Sequence, residues 1–216
     1  MTLDPREYGA VLFDMDGTLV DSEPIWFEVL RAVVPEFGGD LPDDAHASLH
    51  GSDRATTTTI LQTRYGLAGE PAAFWERVVE DLVVALGQAR AMPNAETWVE
   101  AIAAAGVPRA VVSNSPHAMI RASLEPHAWA AHLPVRISVE DVARGKPEPD
   151  GYLLAADRLG VAADRCLVVE DSEAGARAAI AAGATCLFVT NGVVDEDAAL
   201  AITPHVTGSL PELTIV

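Results

Sequence analysis

The sequence predicts an α/β protein: a Rossmann-like, doubly wound parallel sheet as the core, with an inserted α-helical cap domain. Three observations predict it. Apolar runs of strand character alternate with helical patterns through most of the chain. One long stretch near the N-terminus carries helical patterns and no strand, and turn residues stand at both of its edges. The expected strands are Ala10–Phe13, Arg109–Ser113, Val135–Val139, Cys166–Glu170 and Thr185–Val189, with a weaker one at His205–Val206. Between them Ala95–Ala105, Pro116–Leu124, Asp150–Leu159 and Glu173–Ala182 are rich in Ala or Leu, and several end near Gly, as helix C-termini prefer. Such alternation implies a parallel sheet covered on both faces. From Ser22 to about Arg90 the patterns Ile25–Val34, Ala55–Tyr65 and Ala72–Leu86 are helical only. Ser22 with Pro24 on one side, and Pro93 with Asn94 on the other, suit a two-strand hinge. The expected division is 1–21 with 91–216 as the catalytic core and 22–90 as the cap.

Composition narrows the function classes. A chain of 216 residues is long enough for one α/β domain with a sizeable insertion. Half of it is apolar, yet no run approaches the ~20 apolar residues that a membrane-spanning helix needs. The first residues carry Asp4, Arg6 and Glu7 and do not read as a secretory signal, so a cytoplasmic location is expected, with no membrane partner. Cys166 and Cys186 lie in strand-like segments and imply no disulfide framework. A formal charge of -18 with no offsetting Lys/Arg cluster argues against nucleic acid as a partner. A small phosphate ester meets the same field unless a bound cation and a few placed basic groups reverse it locally. The sequence sets no oligomeric state.

Four segments could carry chemistry. Asp14-Met15-Asp16-Gly17-Thr18 follows the first strand, so both carboxylates fall in the turn at its carboxyl end, where parallel sheets bind ligands. Gly17 permits a sharp turn. An ordinary acidic turn would look the same, since Asp-Gly is common in turns. Ser113-Asn114-Ser115 follows the next core strand, with Pro116 opening a helix whose N-terminus could hold phosphate oxygens. Helix capping is the bland alternative. Lys146 stands between Gly145 and Pro147 after the third core strand, where a solvated loop lysine is the competing reading. Glu170-Asp171 ends the fourth, and there Asp171 could be a simple N-cap. Taken together, the four sites deliver carboxylates, a hydroxyl and a lysine to one sheet edge, a coincidence far rarer than any one of them.

With these four motifs in this order, the sequence resembles the haloacid dehalogenase superfamily of phosphotransferases over nearly its whole length, in the branch of sugar phosphatases and β-phosphoglucomutase-like enzymes with the first type of helical cap. The resemblance implies a Mg²⁺-dependent phosphatase acting on a small phosphorylated metabolite, with Asp14 as nucleophile and Asp16 as acid–base group. It assigns Mg²⁺ to Asp14, the main-chain carbonyl of Asp16 and Asp171, with Glu170 bound directly or through water. It gives Ser113, Asn114 and Lys146 to the phosphoryl oxygens. In the cap, Arg54 in His50-Gly51-Ser52-Asp53-Arg54 matches a substrate-facing arginine of related sugar-phosphate enzymes, although an exposed Arg before a helix needs no special role. Trp26 reads as core or pocket wall, and His117 as a first-turn surface residue. The alternative function is a phosphomutase of the β-phosphoglucomutase type. Those mutases carry a cap histidine where this chain has Trp26. Dehalogenase chemistry would dispense with Asp16, and a non-enzymatic phosphate-binding module would not need the complete set. Two features depart from the family pattern: Asn94 in place of the usual Gly, and the segment 125–134, which fits the usual connection poorly.

Overall fold

The computed structural model describes residues 3–49 and 54–213. The chain forms two compact units, one comprising the residues up to Asp21 together with those from Arg90 onward, the other Ser22–Ala89. In chain order the elements are β1 (Ala10–Phe13), β2 (Val20–Asp21), α1 (Glu23–Val33), α2 (His46–Leu49), α3 (Arg54–Tyr65), α4 (Pro71–Ala85), β3 (Arg90–Ala91), α5 (Ala95–Ala104), β4 (Arg109–Val112), α6 (His117–Leu124), β5 (Val135–Ile137), α7 (Asp150–Leu159), β6 (Cys166–Glu170), α8 (Glu173–Ala181), β7 (Thr185–Val189), α9 (Glu196–Leu200) and β8 (Val206–Thr207).

Six strands make one parallel sheet in the order β5-β4-β1-β6-β7-β8. After β1 the chain winds outward through β4 and β5, then returns to the other side of β1 with β6. The strand order therefore reverses beside β1, and the crevice at the carboxyl ends of β1, β4 and β6 is where such sheets accept ligands. All residues of β1 and β6 are buried, and both read as apolar runs except for Glu170 at the end of β6. Tyr152 and Ala155 of α7 and Ala176 and Ala179 of α8 pack into the same core as Leu12 and Val168. Cys166 and Cys186 are buried and free.

Two short strands, β2 and β3, pair antiparallel at the entry and exit of the insertion. Arg90, read from sequence as the last cap residue, is paired with Asp21 in this ladder. Asn94 takes up the left-handed conformation, φ 64°, that the usual Gly would adopt, and its side-chain amide donates to the Leu210 carbonyl at 2.7 Å. The segment 125–134 contains a short 3₁₀ turn, Ala128–His132, that buries Trp129, with Arg136 donating to the Ala130 and Leu133 carbonyls at 3.2 and 3.1 Å. A buried indole and an arginine tie order this connection, and neither has a regular sequence signature.

The inserted unit holds α1 to α4. Phe74 makes edge contacts with Phe37 (5.4 Å between ring centroids) and Trp75 (5.2 Å), and Trp26 meets Trp75 at 6.4 Å. Trp26 is thus part of an aromatic cluster within this unit. The Trp75 indole donates to Thr58 Oγ1 at 2.8 Å. No helix among the described residues is long and apolar enough to cross a membrane.

Candidate active site

Asp14 stands one residue beyond β1, at the centre of the sheet, and its backbone N–H still donates to the Val169 carbonyl at 2.9 Å. Its position is therefore set by the sheet itself. The buried Lys146 ammonium pairs with Asp14 Oδ1 and donates to Glu170 Oε1 at 2.6 Å and to the Val112 carbonyl at 2.8 Å. Three acceptors from three strand ends thus fix one ammonium. The loop that delivers it is clamped by Asn114, whose Oδ1 accepts from the Lys146 N–H at 2.9 Å and whose Nδ2 donates to the Lys146 carbonyl at 3.1 Å. Gly145 is required beside that clamp, because a Cβ there would lie 2.6 Å from Asn114 Oδ1. The side chain of Asn114, a residue expected to bind substrate, pairs with both backbone groups of Lys146.

Glu170 is fully buried and receives five donors. Lys146 and the Tyr152 hydroxyl (2.7 Å) meet Oε1, while the Asp171 and Ser172 N–H groups (3.1 Å each) and the Ser172 hydroxyl (3.0 Å) meet Oε2. Two of these are backbone amides at the start of α8, where a helix end favours an anion. Asp171 accepts from Thr18 Oγ1 at 3.3 Å, and Gly17 leaves room for it, since a Cβ at Gly17 would lie 1.9 Å from Asp171 Oδ2. Asn191, after β7, donates to the Gly17 carbonyl at 2.7 Å and steadies the same turn.

Asp16 goes elsewhere. Its Oδ2 accepts from the Ser115 hydroxyl at 3.0 Å and from the Ser113 hydroxyl at 3.3 Å. Two carboxylates two residues apart thus enter different surroundings: Asp14 the lysine cluster, Asp16 the hydroxyls after β4.

Among the described residues, Asp14, Glu170 and Asp171 each offer an oxygen, and these atoms lie within 4.8 Å of one another. Burial pushes the Asp14 carboxyl up to about 8, with the Glu170 and Asp16 charges adding to the rise and Lys146 opposing it. Burial, then the Asp14 and Glu170 charges, hold Asp171 well above the usual carboxylate range. For Lys146 burial acts downward, but Asp14 and Glu170 outweigh it and the ammonium is retained. One ammonium does not neutralise three clustered carboxylates, and hard oxygen donors at this spacing fit a divalent cation such as Mg²⁺. Glu170 belongs to the cluster by distance, yet its lone pairs are taken. It would reach a cation only through water or by releasing a donor.

Arg54 opens α3 with its guanidinium 4.9 Å from the centre of the Trp75 ring, a cation–π contact inside the inserted unit. The rest of the expected cap loop, His50 to Asp53, lies outside the described residues. His117 meets Asp141 at 3.0 Å on the surface. Sequence reasoning missed Tyr152, Asn191 and Gly175, the last on α8, where a Cβ would lie 1.6 Å from Glu170 Oε1. Tyr152 lies only six positions after Lys146, but nothing in its local pattern distinguishes it from a core aromatic.

The fold and this cluster place buried carboxylates at the topological switch point of the sheet. The model of the haloacid dehalogenase-like hydrolase family matches residues 8–183, and the chain belongs to that family. It is 35% identical to hexitol phosphatase A of Escherichia coli K12 over 82% of this chain and 81% of that one. It is 29% identical to a phosphorylated carbohydrates phosphatase of Thermotoga maritima over 81% of each chain. The crystal structure of a putative β-phosphoglucomutase from Thermotoga maritima superposes with a TM-score of 0.76 at 28% identity, covering 92% of this chain and 93% of that one. Within the family the chain groups with the phosphoric monoester hydrolases.

Proposed function

We propose that this protein is a Mg²⁺-dependent phosphatase that hydrolyses a small phosphate monoester, a sugar phosphate in preference, through an aspartyl-phosphate on Asp14. The observation that carries the reading is the divergence of the two carboxylates: Asp14 in the buried cluster with Lys146, Asp16 two residues on and held by the serines after β4. A nucleophile and a separate proton carrier are what two successive displacements at phosphorus require.

In the first step Asp14 attacks phosphorus and the bond to the ester oxygen breaks, while Asp16 gives its proton to the departing alkoxide. In the second, Asp16 takes a proton from water as that water attacks phosphorus, the bond to Asp14 breaks and inorganic phosphate leaves. Lys146, on releasing one of its three acceptors, and the Ser113 hydroxyl hold the transferring oxygens as charge redistributes. Asp14, Asp171 and the Asp16 carbonyl would hold Mg²⁺, which when bound offsets the carboxylate cluster so that an anionic nucleophile can approach an anionic ester.

The preference for a sugar phosphate rests on the named substrates of the relatives and on Arg54, a cation in the inserted unit. A screen of phosphorylated metabolites with and without Mg²⁺, reading released phosphate, tests the proposal. Release that survives chelation, or none from any ester, would reject it. The phosphomutase alternative draws on the Thermotoga maritima structure, while Trp26 stands where the mutases carry a histidine. Incubation with glucose 1-phosphate and a sugar bisphosphate separates the two, isomer marking a mutase and free phosphate a phosphatase.

A further inference from the structure

Ser115 is the residue whose chemistry the proposed mechanism leaves unused. It is buried, and its three polar groups are all engaged: the hydroxyl donates to Asp16 Oδ2 at 3.0 Å, the N–H to Ser113 Oγ at 3.0 Å, and the carbonyl accepts from the Ser138 hydroxyl at 2.8 Å. Ser138 is itself fixed, since its N–H donates to Asp141 Oδ2 at 2.9 Å and its hydroxyl accepts from the Glu140 N–H at 3.1 Å. Ser115 is therefore held by the turn after β5 as firmly as by its own loop.

Ser113 also reaches Asp16, at 3.3 Å, but a serine has one O–H to donate. Once that proton turns to a phosphoryl oxygen, Ser113 no longer supports Asp16. The Ser115 hydroxyl has no such second duty. We infer that Ser115, braced by Ser138, is a positioning residue that keeps the Asp16 carboxyl aligned for proton transfer while Ser113 is occupied by substrate. The inference rests on the phosphatase reading above. It predicts a role in moving the proton and none in binding the phosphoryl group.

The test compares esters that need a proton at the leaving oxygen with esters that do not. An alkyl sugar phosphate departs as a poor leaving group and depends on Asp16, whereas 2,4-dinitrophenyl phosphate departs as a stable phenolate without help. For Ser115→Ala, kcat/KM, which reports binding and transfer to Asp14 only, is expected to fall roughly tenfold with the sugar phosphate, the loss of one hydrogen bond to a charged group. It should change less than about twofold with the activated ester, the size of effect left when that hydrogen bond is not used. Retained turnover of the activated ester doubles as proof of folding. Ser138→Ala, which keeps the hydroxyl on Ser115 and loosens its brace, should shift the same ratio in the same direction. Equal losses on both esters, or none on either, would overturn the inference alone. A wild-type chain that hydrolyses neither ester would overturn the phosphatase reading and this inference with it.

Discussion

Gly175 lies on α8 against Glu170 and has no part in the proposed chemistry, yet its replacement by alanine should damage the site as much as many active-site changes. A Cβ at this position would sit 1.6 Å from Glu170 Oε1 and 2.0 Å from its Cδ, separations no packed structure tolerates. Either Glu170 or the helix must move by more than an ångström. Glu170 is anchored at five points, and Oε1 carries the bonds from Lys146 and Tyr152. In an ordinary helix interior Gly→Ala stabilises by about 1 kcal/mol. Here that gain opposes the loss of one or two hydrogen bonds to a buried charge, at about 1.5–3 kcal/mol each. The displaced charge adds to the cost, so net destabilisation of roughly 2–4 kcal/mol is expected. At about 2–4 °C per kcal/mol for a chain of this size, the thermal midpoint should drop by roughly 5–15 °C. Differential scanning calorimetry of the two proteins in chelator measures this. A midpoint at or above that of the wild type would show that Glu170 is not held where the hydrogen bonds put it, and the account of Lys146 would go with it.

Asp14→Asn should lower turnover by at least ~10³-fold because covalent attack is lost, and near-normal steady-state phosphate release would refute the nucleophile assignment. Asp16→Asn should slow both steps while leaving the fold and metal binding largely intact; retained activity, with isothermal titration showing unchanged Mg²⁺ binding, would point to another proton donor. Without metal, stability should fall as pH rises from ~4 towards 8, because native Asp14 holds a proton, to about 8, that the unfolded chain releases near ~4. Thermal melts in chelator should show this slope flattened in Asp14→Asn, and Mg²⁺ should raise the midpoint more at pH 8 than at pH 5.5; a wild-type slope no steeper than the variant's would refute the assignment. Tyr152→Phe should remove one of the two donors on Glu170 Oε1 while keeping the ring 5.0 Å from Lys146, and a midpoint loss of a few degrees in the same melts would place the effect in the hydroxyl.

What the sequence disclosed and what it hid follow one physical division. β1, β6 and β7 were legible end to end because strands buried on both faces read as largely apolar runs, and the carboxylates Asp14, Asp16 and Asp171 were singled out because they stand in the turns that follow two of these runs. Strand ends were less so. Val135–Val139 was expected as one strand, but it stops at Ile137, where Ser138 caps the turn at Val139–Asp141 and Asp141 answers through its side chain. Local hydrogen bonding by a short polar side chain competes with the ladder, and hydropathy does not register it. Tyr152, Asn191 and Gly175 were hidden for a further reason. Their roles depend on partners 18, 174 and 5 residues away respectively, reached only when α7, the turn after β7 and α8 have docked.

The donors around Glu170 bear on how so acidic a chain would accept an anionic ester. With a net charge of -18, the surrounding field opposes a phosphate ester. Lys146 is the ammonium that faces Asp14, and Glu170 and the Val112 carbonyl hold it in place. Glu170 in turn is fixed in the interior because Tyr152, the Ser172 hydroxyl and the backbone N–H groups just before α8 donate to it. Those donors therefore do for Lys146 what the sheet does for Asp14: they fix it at a stated atom without touching substrate. Asp14, which shares one ammonium with Glu170, and Asp171 are the pair with the raised proton affinities. Burial first, and then mutual repulsion, raise those affinities, so the arrangement that disfavours the ionised carboxylates in the bare protein is the one a divalent cation would relieve.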